Sequence, residues 1–286
     1  TLLEVRHQEW ASKEGLSIEL DIEVAENEIH TVNGMSKYKK KDGSENKNAT
    51  GFQTVINDYK SVASHGREEA DKVRVTQGKV GLNEYYGQDG QLRSFPQLSS
   101  NFFNRVQAGE EFNPRAEFEV EVFIKNVKDE TNREGEETGR AVVEGYVPLF
   151  GGKVIPFTFK VNEEGVSYVQ DNYEAGATVK IYGDIVNFKE KKTVLEEVAF
   201  GKPKEKVTYN TIREYVITGG SEPYEEDSAN AYKVDTIKKA LTERELYLSE
   251  LKNKNQDGNK KEEKKGFDTK SSKSQKPKTK VDDLPF

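Results

Sequence analysis

Apolar and charged residues alternate one by one through most of the chain between Leu16 and about Val207, and this alternation predicts a mainly β fold. In the segment KVIPFTFKV, four apolar residues fall on one face of a strand: Ile155, Phe157, Phe159 and Val161. Glycine and Asn-Asp clusters interrupt the alternation at short intervals. The sequence therefore predicts many short strands, each of which buries one face.

Five such strands follow one another within residues 113–212. They are EFEVEVFIKNV, then RAVVEGYVPLF and KVIPFTFKV around a Gly151-Gly152 hairpin, then AGATVKIYGDIVNF and TVLEEVAF. A polar connection separates the third strand from the fourth, and a charged turn at Lys189 to Lys192 separates the fourth from the fifth. This order predicts a small closed Greek-key barrel of the OB type.

Residues 1–112 follow the same plan less closely. LSIELDIEV, IHTVNGMSKYKK and FQTVI predict three strands, and KVRVTQGKVGLNEYY with QLRSFPQLSSNFF predicts a long hairpin. DKVRVTQGKV in this part and ATVKIYGDIV in the other each hold two alternating apolar positions, then glycine, then Val or Ile. We therefore expect two OB-like barrels, with a single larger sandwich as the alternative.

The C-terminal part changes character twice. Residues 213–252 predict a connector and one α-helix, because apolar residues recur at helical spacing: Ala231, Val234, Ile237, Leu241, Leu248 and Leu251. The composition of residues 253–280 is rich in Lys, Glu, Asn, Ser and Gln, which predicts a disordered linker. Residues 281–286 form a short acidic and apolar tip.

Several classes of protein are disfavoured by what the sequence lacks. There is no cysteine, so disulfides and thiolate metal sites are excluded, and no apolar run approaches the ~18 residues of a membrane span. Nucleotide-binding glycine motifs are absent, and the histidines lack ligand spacing: His7, His30 and His65. We expect a cytoplasmic protein that is not an enzyme and has no catalytic residue, metal or cofactor.

Acidic residues two apart on predicted strands keep one enzymatic alternative open. Such carboxylates could hold a metal ion for a nuclease or recombination enzyme, although the solvated face of a strand has the same pattern. These acids are Glu19, Asp21 and Glu23 in the first barrel and Glu117, Glu119 and Glu121 in the second. The sequence supplies no further ligand or base beside them.

Aromatic rings interleaved with cations favour a site for single-stranded nucleic acid, where cations follow the phosphates and rings stack on bases. In the first barrel the candidates are Lys37, Tyr38, Lys39, Lys40, Phe52, Arg74, Lys79, Tyr85, Tyr86, Arg93 and Phe95. In the second they are Tyr146, Phe150, Lys153, Tyr182 and Phe188. Each strand must turn one face inward, so part of these rings belongs to the core, and only one of the adjacent Tyr85 and Tyr86 points outward. The second set is less basic, so we expect weaker binding there or a role in a homodimer.

The overall charge does not by itself indicate nucleic-acid binding. The formal net charge is −7, of which residues 253–286 contribute +4 and the preceding residues −11. A nucleic-acid site must therefore depend on local groups of cations and rings.

The tip combines features of a docking peptide. Phe286 offers a ring and a free carboxylate, Pro285 restricts the backbone, Leu284 adds an apolar contact, and Asp282 and Asp283 suit a basic rim. We therefore expect the tip to bind a pocket with an apolar floor and Arg or Lys at its mouth.

The order of barrels, linker and a terminal Asp-Asp-Leu-Pro-Phe resembles bacterial and bacteriophage single-stranded DNA-binding proteins, whose tip has several Asp before Ile-Pro-Phe. The resemblance implies barrels that coat single-stranded DNA without sequence preference, in a bacterium or in the host cell of a phage. It also implies a tip that recruits proteins of DNA replication, recombination and repair. It transfers no DNA-contact residue, because no barrel signature matches. A replisome adaptor with protein-binding barrels is the second alternative.

Overall fold

The computed structural model describes residues 1–196, 200 and 204–263. The strands are β1 (Leu2–Glu9), β2 (Gly15–Ala25), β3 (Glu28–Lys37), β4 (Val73–Thr76), β5 (Lys79–Tyr86), β6 (Leu92–Ser99), β7 (Phe102–Arg105), β8 (Glu117–Thr131), β9 (Glu137–Leu149), β10 (Lys153–Val161), β11 (Thr178–Glu196) and β12 (Lys204–Gly220). The helices are α1 (Lys47–Asp58), α2 (Val62–His65), α3 (Glu163–Asn172) and α4 (Val234–Glu263). None of these helices has the length and apolar composition needed to cross a membrane. The predicted linker after residue 263 and the tip Asp282–Phe286 lie outside the described residues.

The second half of the chain forms a closed barrel. Strand β8 pairs antiparallel with β9 on one side and with β11 on the other, and β9 pairs antiparallel with β10. Strand β12 closes the ring, because it runs parallel to β10 and antiparallel to β11. Helix α3 connects the third strand of this ring to the fourth. The predicted closed barrel in a mainly β chain is confirmed.

The barrel interior is filled by the apolar positions of the alternating pattern. Phe157, Phe159 and Tyr215 pack at its centre, and the Phe157 and Tyr215 rings meet edge to face with their centroids 4.7 Å apart. Burial raises the pKa of Tyr215 to about 12. All four apolar residues that alternate in β10 are buried in this core, as their spacing predicts.

The strand boundaries correct the sequence prediction at the end of the barrel. Lys189–Lys192 is not a turn, because β11 continues through it to Glu196 and pairs with β12 along its whole outer half. The segment TVLEEVAF is therefore not the fifth strand. That strand is β12, which continues to Gly220 and so passes the expected domain end at residue 212. Beyond the barrel, the outer parts of β11 and β12 pair as a two-stranded arm on which charged and apolar residues alternate. We call it the β11–β12 arm.

The first half of the chain is an antiparallel β1–β2–β3 sheet extended by the β5–β6 hairpin. Strand β6 pairs with β3 in parallel, just as β12 pairs with β10. Strand β1 was not expected from the sequence, and β4 pairs with β7 separately. The two halves join where Phe188 of β11 pairs with Glu28 of β3, beside the backbone bond from the Lys189 N–H to the Asn27 carbonyl (2.8 Å).

The sequence predicted that the segment FQTVI is a strand, but the structure shows that it is helical. It lies within α1, whose first turn is capped by the Asn46 side chain, which accepts a hydrogen bond from the Asn48 N–H at 3.2 Å. Ala49, Phe52 and Val55 recur every three residues and are all buried. The helical period of this longer window overrides the β propensity of the five residues inside it.

Helix α4 packs on the second barrel through Ile237 and Ala240, which are buried against Phe123 and Val154. The helical spacing in the sequence ran from Ala231 to Leu251, whereas α4 begins at Val234 and ends at Glu263. Residues 253–263 continue the helix and are not part of a linker, although this stretch contains Asn, Asp and Gly beside the stronger helix formers Lys, Glu and Gln.

Candidate nucleic-acid interface

The β5–β6 hairpin lies across the second barrel with two distinct faces. Its inner face carries Val80, Leu82 and Leu98, which pack against the barrel core. Farther along this face, Glu84 forms an ion pair with Arg244 of α4, and the Lys252 amine lies 5.8 Å from the centroid of the Tyr86 ring. The hairpin is therefore held by apolar contacts near its base and by α4 near its tip.

The outer face of the hairpin carries four predicted site residues, of which Tyr85, Arg93 and Phe95 are neighbours and Lys79 lies at the other end of β5. Tyr85 pairs with Arg93, Phe95 pairs with Asn83, and Lys79 follows on the same side of β5. Tyr85 and Phe95 are each 48% exposed, and their ring centroids are 6.4 Å apart. Asp89 holds the Arg93 guanidinium at 2.7 Å. As the sequence predicted, one of the adjacent tyrosines faces outward, and that residue is Tyr85.

A cleft of about 840 Å³ opens beside this face, between the hairpin, strands β2 and β3, and the wall of the second barrel. Phe95 borders the cleft, and Tyr146 lies in its opposite wall. Three cations also line it: Lys125, Lys160 and Arg213. We call this space the barrel cleft. Three carboxylates line it as well: Glu19, Glu144 and Glu214. Stacking on bases and pairing with phosphates requires exposed rings and cations that these acids leave available.

The cations of the barrel cleft differ in how firmly carboxylates hold them. Lys160 donates to Glu130 at 2.6 Å, and Lys125 lies 3.6 Å from Glu144. Arg213 donates through Nε to the Asn187 side-chain oxygen at 3.2 Å and has no ion pair with any carboxylate of the described residues. A guanidinium held by a neutral amide keeps its charge available for a phosphate, so Arg213 is the best-placed phosphate ligand of the cleft.

His30 lies in the floor of the barrel cleft and does not add charge to it. Its ring is buried, with Nε2 3.4 Å from a Glu28 carboxylate oxygen. Burial lowers the pKa of His30 although Glu28 opposes this, so the imidazole is neutral near pH 7. His30 also borders a second cleft of about 660 Å³, which is lined by Arg74, Lys79 and Arg115 and by several acids.

The β11–β12 arm extends the barrel cleft with residues that sequence reasoning missed. Beyond the Asn187–Arg213 pair, the same face of the arm carries Lys189 and then Lys191 opposite Tyr209. The Tyr209 ring is 58% exposed, and the Lys189 amine lies 4.8 Å from its centroid. Continued alternation through KEKKTV and VTYNTIREY was the signal that would have revealed this surface.

The remaining candidates of the first half lie apart from the barrel cleft. At the end of β3, Lys39 and Lys40 are exposed, Lys37 lies 3.4 Å from Glu14, and the half-buried Tyr38 donates to Glu9 at 3.1 Å. Arg74 is held by Glu110 at 2.6 Å in the wall of the second cleft.

Two aromatic candidates of the first half are corrected by the structure. Phe52 is only 1% exposed, because it is a core residue of α1, so a base cannot reach its ring. Tyr86 lies on the inner face of the hairpin beneath α4 and does not take part in the outer face.

The candidates of the second barrel are dispersed. Tyr146 is half-buried. It packs against the residues that hold α4 on the second barrel, and it also lines the barrel cleft. Phe150 and Lys153 are exposed at the β9–β10 turn. Tyr182 is exposed on β11, and Phe188 is half-buried opposite Glu28. Tyr146 alone of this set lines the barrel cleft.

The acidic rows on the first strands are occupied by cations and hydroxyls. Arg6 pairs with Glu4, with Glu19 at 2.5 Å and with Asp21 at 2.7 Å. In the second barrel, Lys180 lies 2.7 Å from Glu119, while Tyr224 and Tyr232 donate to Glu121. The described part of the chain contains no group of three or more metal-ligating side chains.

Comparison with known proteins gives one family and a group of structural neighbours, two of which are described below. A family model described as YorF matches residues 1–254. A deletion and substitution variant of the single-stranded DNA-binding protein from Thermus aquaticus has a TM-score of 0.47 and 10% identity, over 79% of this chain and 91% of that chain. The wild-type structure of that protein has a TM-score of 0.46 and 10% identity, over 79% and 90%. No curated protein matches the sequence.

Proposed function

The chain belongs to the YorF family, and we propose that it binds single-stranded DNA without sequence preference in DNA replication, recombination or repair. The observation that carries the proposal is the arrangement of Tyr85 and Phe95. Two half-exposed rings stand side by side, and one of them, Phe95, borders the barrel cleft that Arg213 also lines. Rings in this position stack on unpaired bases while the guanidinium binds the adjoining phosphate.

Strand order supports two OB-like barrels. In the second half, the order β8–β9–β10–β12–β11, with a helix between the third and fourth strands, is that of the OB fold. The first half repeats the parallel pairing of its third strand with the hairpin strand β6. In the first half, a single backbone bond from the Leu2 N–H to the Asp71 carbonyl (2.9 Å) connects β1 to the segment just before β4. We infer that this half is an OB-like barrel that is less completely closed.

Unpaired DNA fits the site better than duplex DNA does. The Tyr85 and Phe95 rings offer flat surfaces for stacking, and a base must leave its pair to lie on them. Such stacking does not distinguish one base from another. Arg213, Lys189 and Lys191 lie on one face of the β11–β12 arm, an arrangement that suits a single backbone.

Titration of a labelled oligo-dT with the full chain tests the proposal. We expect binding to the single strand at low salt that is clearly tighter than binding to a duplex of equal length. Equal affinity for the two would refute the proposal, and failure to bind oligo-dT would favour a replisome adaptor. The same titration without Asp282–Phe286 should retain binding, because we propose that the tip serves protein partners and the barrels serve DNA.

Arg213 makes a specific prediction about salt. If it binds one phosphate, Arg213→Ala should weaken oligo-dT binding and reduce the slope of log affinity against log salt concentration by about 0.7. Lys60→Ala is the matched control, because Lys60 is an exposed cation paired with Glu69 at 2.8 Å and does not line the barrel cleft. A slope that falls equally in both variants would show that Arg213 has no special part in binding.

A further inference from the structure

Helix α4 contacts both halves of the chain. Ile237 and Ala240 fix it to the second barrel, and one turn later Arg244 reaches Glu84 on the β5–β6 hairpin. Two turns beyond that, the Lys252 amine lies over the Tyr86 ring of the same strand. Helix α4 therefore spans from the wall of the barrel to the outer part of the hairpin.

The Arg244–Glu84 contact is the more buried of these links to the hairpin. The Glu84 side chain is 5% exposed and that of Arg244 is 14% exposed. Glu84 also accepts a hydrogen bond from the Ser94 hydroxyl on β6 at 3.1 Å, so both strands of the hairpin share the carboxylate. A carboxylate so deeply buried is stable only with its cation present, because its desolvation is otherwise uncompensated.

The position of Glu84 controls the rings on the opposite face. Glu84 and Tyr85 are neighbours on β5 and point to opposite sides of the hairpin, and Ser94 and Phe95 are related in the same way on β6. A contact that holds Glu84 against α4, and through Glu84 the Ser94 side chain, therefore fixes the positions of Tyr85 and Phe95 on the other face, where Phe95 borders the barrel cleft.

We infer that Arg244 is a positioning residue for the single-stranded DNA site, an inference that rests on the function proposed above. Arg244 does not line the barrel cleft, and its charge is taken up by Glu84, so it acts through the hairpin and not on phosphate. Without Arg244 the Glu84 carboxylate moves toward water and lifts the outer part of the hairpin. The rings then spend only a fraction of their time in the position that binds DNA, and the apparent affinity falls by that fraction.

The first test is oligo-dT binding by Arg244→Ala, with circular dichroism to verify folding. We expect affinity to fall by about tenfold or more while the salt slope stays unchanged, since no phosphate contact is lost. Arg244→Lys should retain most of the affinity, and the exchange Glu84→Arg with Arg244→Glu should recover part of it. A reduced salt slope in Arg244→Ala, or no change in affinity, would overturn the inference.

A second test measures the hairpin without DNA. The chain has no cysteine, so Gln88→Cys at the hairpin tip and Lys239→Cys on the exposed side of α4 can carry a pair of spin labels. We expect a narrow distance distribution that broadens in Arg244→Ala, and an unchanged distribution would refute the positioning role. If the distribution broadens but the parent chain does not bind oligo-dT, the proposed function fails, and with it the inferred role in DNA binding.

Discussion

Replacing Tyr85 and Phe95 together by alanine should weaken oligo-dT binding by at least one and up to about four orders of magnitude. Each stack of a base on a ring contributes about 1–3 kcal/mol, and about 1.4 kcal/mol corresponds to a factor of ten. Both side chains are half-exposed on the outer face of the hairpin, so their removal leaves the core unchanged. Fluorescence anisotropy of labelled oligo-dT at fixed salt measures the change.

Tyr247→Ala is the matched control for this double variant. Tyr247 is an exposed ring of similar accessibility on α4, and it does not line the barrel cleft. We expect its replacement to leave oligo-dT affinity unchanged. If the control loses as much affinity as the double variant, or if the double variant binds like the parent chain, the site does not lie at Tyr85 and Phe95.

The sequence predicted this site in part, because the hairpin residues follow from local alternation. Once two strands pair around a short turn, the register decides which rings share a face, and that brings Tyr85, Arg93 and Phe95 together. The opposite wall of the cleft depends on how two distant halves meet at Phe188 and Glu28. No local pattern encodes that contact, so Lys160 and Arg213 were not predicted.

The fold shows the same division between local and distant information. The alternation in β10 predicted its buried face, since a strand of a barrel must turn every second residue inward. Phe52 was misjudged because a five-residue window cannot distinguish a strand from one face of α1. The arm was misjudged because Lys189–Lys192 looked like a turn. Pairing with β12 satisfies the backbone of these residues, and their charges remain in solvent.

The glycine that follows the alternating positions in both halves has a different role in each. Gly183 lies at an irregularity of β11, where the strand pairs with both Phe118 of β8 and Ile217 of β12. A Cβ at this position would lie 1.9 Å from the Val216 carbonyl oxygen. Its counterpart Gly78 has no atom within 4 Å of the place where a Cβ would be. The same sequence pattern therefore marks a close backbone approach in the second half and an open bend in the first.

Gly183→Ala should lower the free energy of unfolding by about 3 kcal/mol or more, because a backbone oxygen cannot rotate away from the new methyl group as a side chain can. Gly78→Ala, the matched control, should change it by no more than about 0.5 kcal/mol. Urea unfolding followed by circular dichroism measures both. Oligo-dT affinity should fall in Gly183→Ala even where it stays folded, because the displaced strands carry the Asn187–Arg213 pair. Equal unfolding midpoints for the two variants would mean that β11 does not approach β12 at Gly183, and that the barrel closes in another register.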